Sequence, residues 1–238
     1  MNRDVSITRV ARLEARCEPR CWLWAEKNRD AIEANWAKAT AGKPRMFNGR
    51  VLLVSDIAIE PGLCRATYFE TDFKDFLAWR DLGYPDPAIG NGYAMGALQG
   101  SDGGYICGVM GAQTSNAGRV YFPSGTPDLS DLLPDGSVDL ATSVTRELEE
   151  ETALPPDLFE VANDWIVVSH WPAIAFMRLL RCREPADAVA ERIRAAIAAQ
   201  DEPELSDARV IRGMADVVPG TMPVTVQSFF RWAYGAQK

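Results

Sequence analysis

The sequence predicts a mixed α/β fold, an α+β mixed sheet packed by helices, on three observations. Short strand-like runs recur along the chain, amphipathic stretches with helical spacing are interleaved with them, and the interleaving lacks the strand–helix–strand rhythm of a purely parallel sheet. The 238 residues are 47% hydrophobic and 24% charged, an ordinary globular composition and enough for one large domain or a domain with an extension.

Residues 5–18 contain short alternations (Val5, Ile7; Val10, Leu13) that read as extended chain. Residues 23–41 read as one amphipathic helix anchored by Trp24, Ile32 and Trp36 and stopped by Gly42 and Pro44. After the Asn48-Gly49 turn, residues 50–70 read as a β-hairpin folded at Pro61-Gly62, and Asp72 is placed to cap a helix through Trp79. A loop over 84–92 leads into apolar runs at 93–98, 105–110 and 119–122, separated by Gly and Asn clusters as in a meandering sheet. A helix follows over about 140–152, stopped by Pro155 and Pro156. Strand-like runs at 165–170 and 173–182 and helices near 186–199 and 226–234 complete the chain.

Charge and composition exclude several functions. Twenty-five basic against 33 acidic residues give a net charge of −8, so the chain has no long-range attraction for duplex nucleic acid. A small anionic substrate remains compatible if metal ions neutralise the meeting of like charges. No apolar run approaches the length that spans a bilayer, and the charged N-terminus lacks the apolar centre of a secretory signal, so no membrane partner is expected and the location reads as cytoplasmic. The five cysteines (Cys17, Cys21, Cys64, Cys107, Cys182) are too scattered for a disulfide framework, and a zinc site lacks ligands with His170 the single histidine. Gly90, Gly92 and Gly96 have the wrong spacing and context for a dinucleotide fingerprint.

The informative stretch is the helix over 140–152. At 100° per residue, Leu140, Ala141, Val144 and Leu148 form an apolar stripe. Glu147, Glu150 and Glu151 then fall on one side and Glu149 on the opposite flank. Carboxylates crowded at i,i+4 repel by a few tenths of a kcal/mol, which an oxygen-seeking cation such as Mg²⁺ reverses. Arg146 is spaced to pair with Glu150. Periodicity alone also fits a plain acidic, solvated helix face.

The run Arg146-Glu147-Leu148-Glu149-Glu150-Glu151 matches the REUxEE centre of the Nudix box (U aliphatic), Leu154 matches its final aliphatic position, and Phe122-Pro123-Ser124-Gly125 is similar to the turn preceding the box. Over about residues 93–200 the chain thus resembles the Nudix hydrolase superfamily. The resemblance implies an αβα sandwich over 91–238, with 1–90 as an N-terminal α/β extension. It implies a metal-dependent pyrophosphohydrolase that cleaves the diphosphate of a nucleoside diphosphate linked to another moiety, with Mg²⁺ or Mn²⁺ as cofactor. By motif position the metal ligands are Glu147, Glu150 and Glu151. Arg146 orients a glutamate, and Glu147 or a carboxylate on a later loop is the general base. Substrate-binding residues are not assigned, although the extension resembles that of enzymes acting on nucleotide sugars such as UDP-glucose. Its residues read equally as a packing subdomain that builds a homodimer.

The box departs from the family pattern at three positions. Its first glycine is Leu132, its upstream glutamate is Val138, and its last glycine is Ala153. Asp139, beside Val138, reads as a helix N-cap better than as a replacement acid. Ala153 falls where a left-handed residue is needed. These departures motivate the alternative of a catalytically weak or inactive Nudix-fold module that binds a nucleotide for regulation. Tyr105, Phe122, Trp165, Trp171 and His170 read as structural residues rather than ligand contacts.

Overall fold

The computed structural model describes residues 4–43 and 46–235. Its strands and helices, in chain order, are β1 (Ser6–Val10), β2 (Arg12–Cys17), α1 (Leu23–Lys27), α2 (Arg29–Thr40), β3 (Arg50–Glu60), β4 (Leu63–Asp72), α3 (Phe73–Asp81), β5 (Asn91–Gln99), β6 (Tyr105–Met110), β7 (Val120–Tyr121), β8 (Ser124–Gly125), α4 (Leu140–Thr152), β9 (Phe159–Val161), β10 (Trp165–His170), β11 (Ala173–Cys182), α5 (Ala186–Ala199), β12 (Leu205–Ile211) and α6 (Val224–Gly235). The expected α+β mixed sheet is present.

The larger sheet runs β1-β10-β11-β5-β6-β12, with the short β7, β8 and β9 pairing β6, β5 and β11. β11 and β5 are parallel, from Ala173 opposite Asn91 to Arg181 opposite Gln99, and the other neighbours are antiparallel. Successive side chains on β5 point to opposite faces. The Tyr93 hydroxyl meets Thr225 Oγ1 of α6 at 2.8 Å. A Cβ on Gly96, on the other face, would meet Leu180 at 2.7 Å and Val144 of α4 at 3.4 Å. Helices thus cover both faces, which makes the αβα layering. α6 seals its side with Phe229 and Phe230, packed edge-on or tilted against Tyr105 and Phe122.

The smaller sheet, β2-β4-β3, is built from the first ninety residues. β3 carries the run Val51-Leu52-Leu53-Val54 because both of its faces are covered. Leu52 and Val54 join the main core, whereas Val51 and Leu53 join a second core with Trp22, Ile32, Phe69, Phe76 and Trp79 beneath α2 and α3. Residues 1–90 feed both sheets, since β1 is an edge strand of the larger one. The helix expected over 23–41 is two helices, broken at Asn28, whose side-chain amide donates to the Trp24 carbonyl at 2.7 Å. Asp72 occupies the N-cap of α3, but its carboxylate is drawn to Arg50. Asn48 caps instead, accepting the Lys74 N–H at 2.9 Å.

The two sheets meet tightly at β5. Gly90 and Val54 exchange backbone hydrogen bonds of 2.8 Å, and the Tyr68 hydroxyl donates to the Gly92 carbonyl at 3.0 Å. A Cβ on Gly92 would lie 2.6 Å from Val54 and 2.8 Å from both Phe176 and the Tyr68 hydroxyl. The glycines of this stretch therefore serve sheet packing. Gly92→Ala is expected to lower unfolding stability by about 1–3 kcal/mol through overpacking, read as a lower urea midpoint.

Candidate active site

α4 starts because the Asp139 carboxylate caps it, accepting the Thr142 N–H at 3.0 Å and the Thr142 hydroxyl at 2.7 Å. Asp139 is thus an N-cap. The stripe Leu140, Val144 and Leu148 is buried and fixes the rotation of the helix. That rotation carries two acidic side chains out of water, with Glu151 only 4% exposed and the Glu147 side chain 16% exposed. Glu150 and Glu149 are exposed.

β8 passes directly beneath these carboxylates. The Ser124 N–H donates to Glu151 Oε1 at 3.2 Å. A Cβ on Gly125 would run into the Glu147 carboxylate, so a side chain there would displace the end of Glu147 from this position. Glu151 Oε2 is buried and has no hydrogen-bond partner among the described residues. Arg146 pairs with Asp131 at 2.8 Å and Glu147 at 3.4 Å, in place of the expected Glu150. Asp131 is 3% exposed and sits in a short 3-10 helix, Leu129–Asp131; its second carboxylate oxygen accepts the Asp128 N–H at 3.1 Å.

The departures from the box now have a physical explanation. Val138 is buried in an isolated bridge with Leu132 and donates its N–H to the Ala15 carbonyl at 2.9 Å, so no acid could sit there without loss. The carboxylate beside Arg146 is Asp131, seven residues before Val138 in the chain. Sequence reasoning missed it because only the folded loop over 126–139 brings it back to α4. Ala153 is left-handed, with φ 52° and ψ 24°, and its N–H closes the helix on the Glu149 carbonyl at 2.8 Å.

Glu147 and Glu151 line a cleft of about 1400 Å³. Its walls are the segment before β3 (Lys43, Met46, Phe47), the loop after β6 (residues 111–116) and the loop before β12, which brings Glu204. Burial pushes the Glu147 pKa from 4.5 to about 7, with Arg146 opposing and Glu150, Asp131 and Glu204 adding to the rise. Glu151 is also raised well above its ordinary value, by burial first and then by Glu204. Glu204 itself is raised by the protein atoms crowding it and by Glu150, although its side chain keeps contact with solvent at the rim.

Among the described residues, no three acidic, histidine or cysteine side chains converge as a ready-made metal cage. The candidate trio divides into Glu147 and Glu151 in the cleft and Glu150 outside its lining. Two buried carboxylates, one with an orphaned oxygen, still fit a magnesium-like ion, which takes a few carboxylates and completes its shell with water and phosphate. Of the residues read as structural, Tyr105, Phe122 and Trp165 are buried, and His170 and Trp171 are half-buried. The cysteines are all free. No described helix is long and apolar enough to cross a membrane.

No family model matches the chain, and no curated protein matches it. Among solved structures, a Nudix hydrolase from M. smegmatis, RenU, is similar over 62% of this chain and 85% of its own, at 12% identity and a TM-score of 0.40. The likeness is distant, and the functional reading stands on this chain's own residues.

One outcome checks the electrostatics. The folded chain holds the Glu147 proton more tightly than the unfolded chain, because its pKa is raised. The stability this contributes is fully present below about pH 4.5 and is lost as pH rises through about 7. In divalent-free buffer, unfolding stability should therefore decline across that window, and less steeply in Glu147→Gln; an equal slope in both proteins would contradict the burial of this charge. Separately, Ala153→Gly should raise stability by about 1 kcal/mol by relieving the left-handed alanine, read as a higher urea midpoint.

Proposed function

We propose that this chain is a Nudix-type hydrolase that cleaves the diphosphate of a nucleoside diphosphate linked to a second moiety, with Mg²⁺ or Mn²⁺ held by Glu147 and Glu151. The observation that carries the reading is the pair of buried carboxylates of the REUxEE run, set over Gly125 and opening into one large cleft. A plain acidic helix face would leave such groups in water. Here burial raises both pKa values, a cost that a cation or a proton must offset.

A divalent cation, when bound, supplies charge to polarise phosphoryl oxygens, to lower the pKa of an attacking water and to balance the leaving phosphate. The chain's own residues provide the rest. The Ser124 N–H holds one Glu151 oxygen and leaves the other without a protein partner. Arg146, anchored on Asp131, keeps Glu147 in place and opposes its protonation. Glu150, at the rim, acts through its charge or through a bridging water. Two carboxylates can take the proton of the attacking water: Glu147, and Glu204 as the later-loop candidate.

The test is a panel of nucleoside diphosphates and nucleotide sugars with Mg²⁺ or Mn²⁺, scored by released phosphate or nucleoside monophosphate. Glu147→Gln and Glu151→Gln should each lower turnover by at least about a hundredfold while circular dichroism stays unchanged. Removal of divalent ions with a chelator should abolish turnover in the parent protein. Full activity in either variant would refute the assignment. Tight nucleotide binding with no turnover across the panel would favour the regulatory module.

A further inference from the structure

The cleft is larger than a diphosphate needs. Its volume of about 1400 Å³ exceeds the roughly 300–1,000 Å³ of pockets that enclose drug-sized ligands. The carboxylates occupy one wall, and the segment before β3 forms another. On that wall Phe47 is 78% exposed.

A lone exposed aromatic needs no explanation on an open surface. Phe47 differs because it lines a cleft and the residues that follow it are hydrogen-bonded to α3 and to the loop over 126–139. The ring lies over Gly49, where a Cβ would come within 3.0 Å of Phe47 Cε2. The Gly49 carbonyl accepts the Phe73 N–H at 2.8 Å, and the intervening Asn48 caps α3. Downstream, the Leu52 N–H donates to the Pro127 carbonyl at 2.7 Å, and Val51 bridges Asp128. The strand that follows Phe47 is thereby bonded to the same loop that presents Asp131 to Arg146.

The charges along this wall are also selective. Arg50 lines the cleft but is committed to Glu70 and Asp72. Among the described lining residues, Lys43 is the cation with no carboxylate partner; its ammonium reaches only the Thr114 carbonyl, at 3.5 Å. An exposed aromatic face and a cation without a carboxylate partner, lining the same cleft as the candidate metal carboxylates, match a ligand with an aromatic ring and anionic oxygens.

We infer that the nucleobase of a nucleotide stacks on Phe47 and that Lys43 meets an anionic oxygen of the same ligand, so that these two side chains favour a nucleotide over a bare diphosphate. This deepens the proposed diphosphate chemistry and rests on it for the position of the phosphates. Stacking a base on an aromatic side chain is tolerant of base identity, because every base has a π-face. Phe47 therefore supplies affinity for a ring, and the choice among bases is left to other groups of the cleft.

The test uses the full chain with Mg²⁺ and titrates ADP, GDP, UDP, CDP and inorganic diphosphate by calorimetry. At least one nucleoside diphosphate should bind about tenfold or more tightly than inorganic diphosphate. Phe47→Ala should erase that gap and Phe47→Trp should keep it, and Lys43→Ala should weaken the nucleotide most at low salt. Melting temperatures should stay within about a degree of the parent, since the ring is exposed. On a hydrolysed substrate, Phe47→Ala should raise KM far more than it lowers kcat. Hydrolysis with Phe47→Ala indistinguishable from the parent, or no ring-dependent binding by any nucleotide, overturns the inference. Phe47-dependent binding without hydrolysis supports the ring site and rejects the hydrolase reading.

Discussion

The structure of the site depends on how the apolar stripe of α4 is seated. Leu140, Val144 and Leu148 can be buried together in only one rotation of the helix, and that rotation draws Glu147 and Glu151 over β8. Two carboxylates leaving water carry a large desolvation cost. The neighbouring features read as answers to it: a strand residue without a side chain, a backbone N–H aimed at one oxygen, and an arginine locked by a buried aspartate. Remove the stripe and these features lose their purpose, because the glutamates would simply turn to solvent.

Much of this was legible in the sequence because it is encoded locally. The capping role of Asp139, the extent of α5, the β10–β11 pair and the left-handed demand on Ala153 each follow from residues within a turn or two. The division of the glutamates was only half legible. Helical periodicity places Glu147, Glu150 and Glu151 on one side, but how much of that side is covered depends on β8, which periodicity cannot see. The partner of Arg146 was not legible at all. Spacing suggests Glu150, yet Asp131 prevails because it is already buried and needs a cation, whereas Glu150 can remain hydrated. Likewise Asn28 breaks the first long helix by a side-chain bond to the backbone that the helical pattern conceals.

The first ninety residues build a three-stranded sheet with an aromatic core of its own, and they also build a wall of the cleft. The route from one to the other is short. β3 is covered on both faces, so its register is firmly set, and the residues immediately before it inherit that precision. Asn48 and Gly49 tie this backbone to α3, which holds the wall beside the cleft while its exposed side chains keep their rotamer freedom.

The pairing of β1 has a consequence for how the chain acquires this shape. β1 lies beside β10, formed by residues 165–170, while β2, one residue further on, joins the smaller sheet. During synthesis the small sheet and its aromatic core can assemble early, but the edge position of β1 does not exist until most of the chain has left the ribosome. Contacts of such long sequence separation form slowly and leave a strand edge exposed in the meantime. β1 can therefore join its edge only after β10 has been made, and the Arg9–Asp164 ion pair then ties it there.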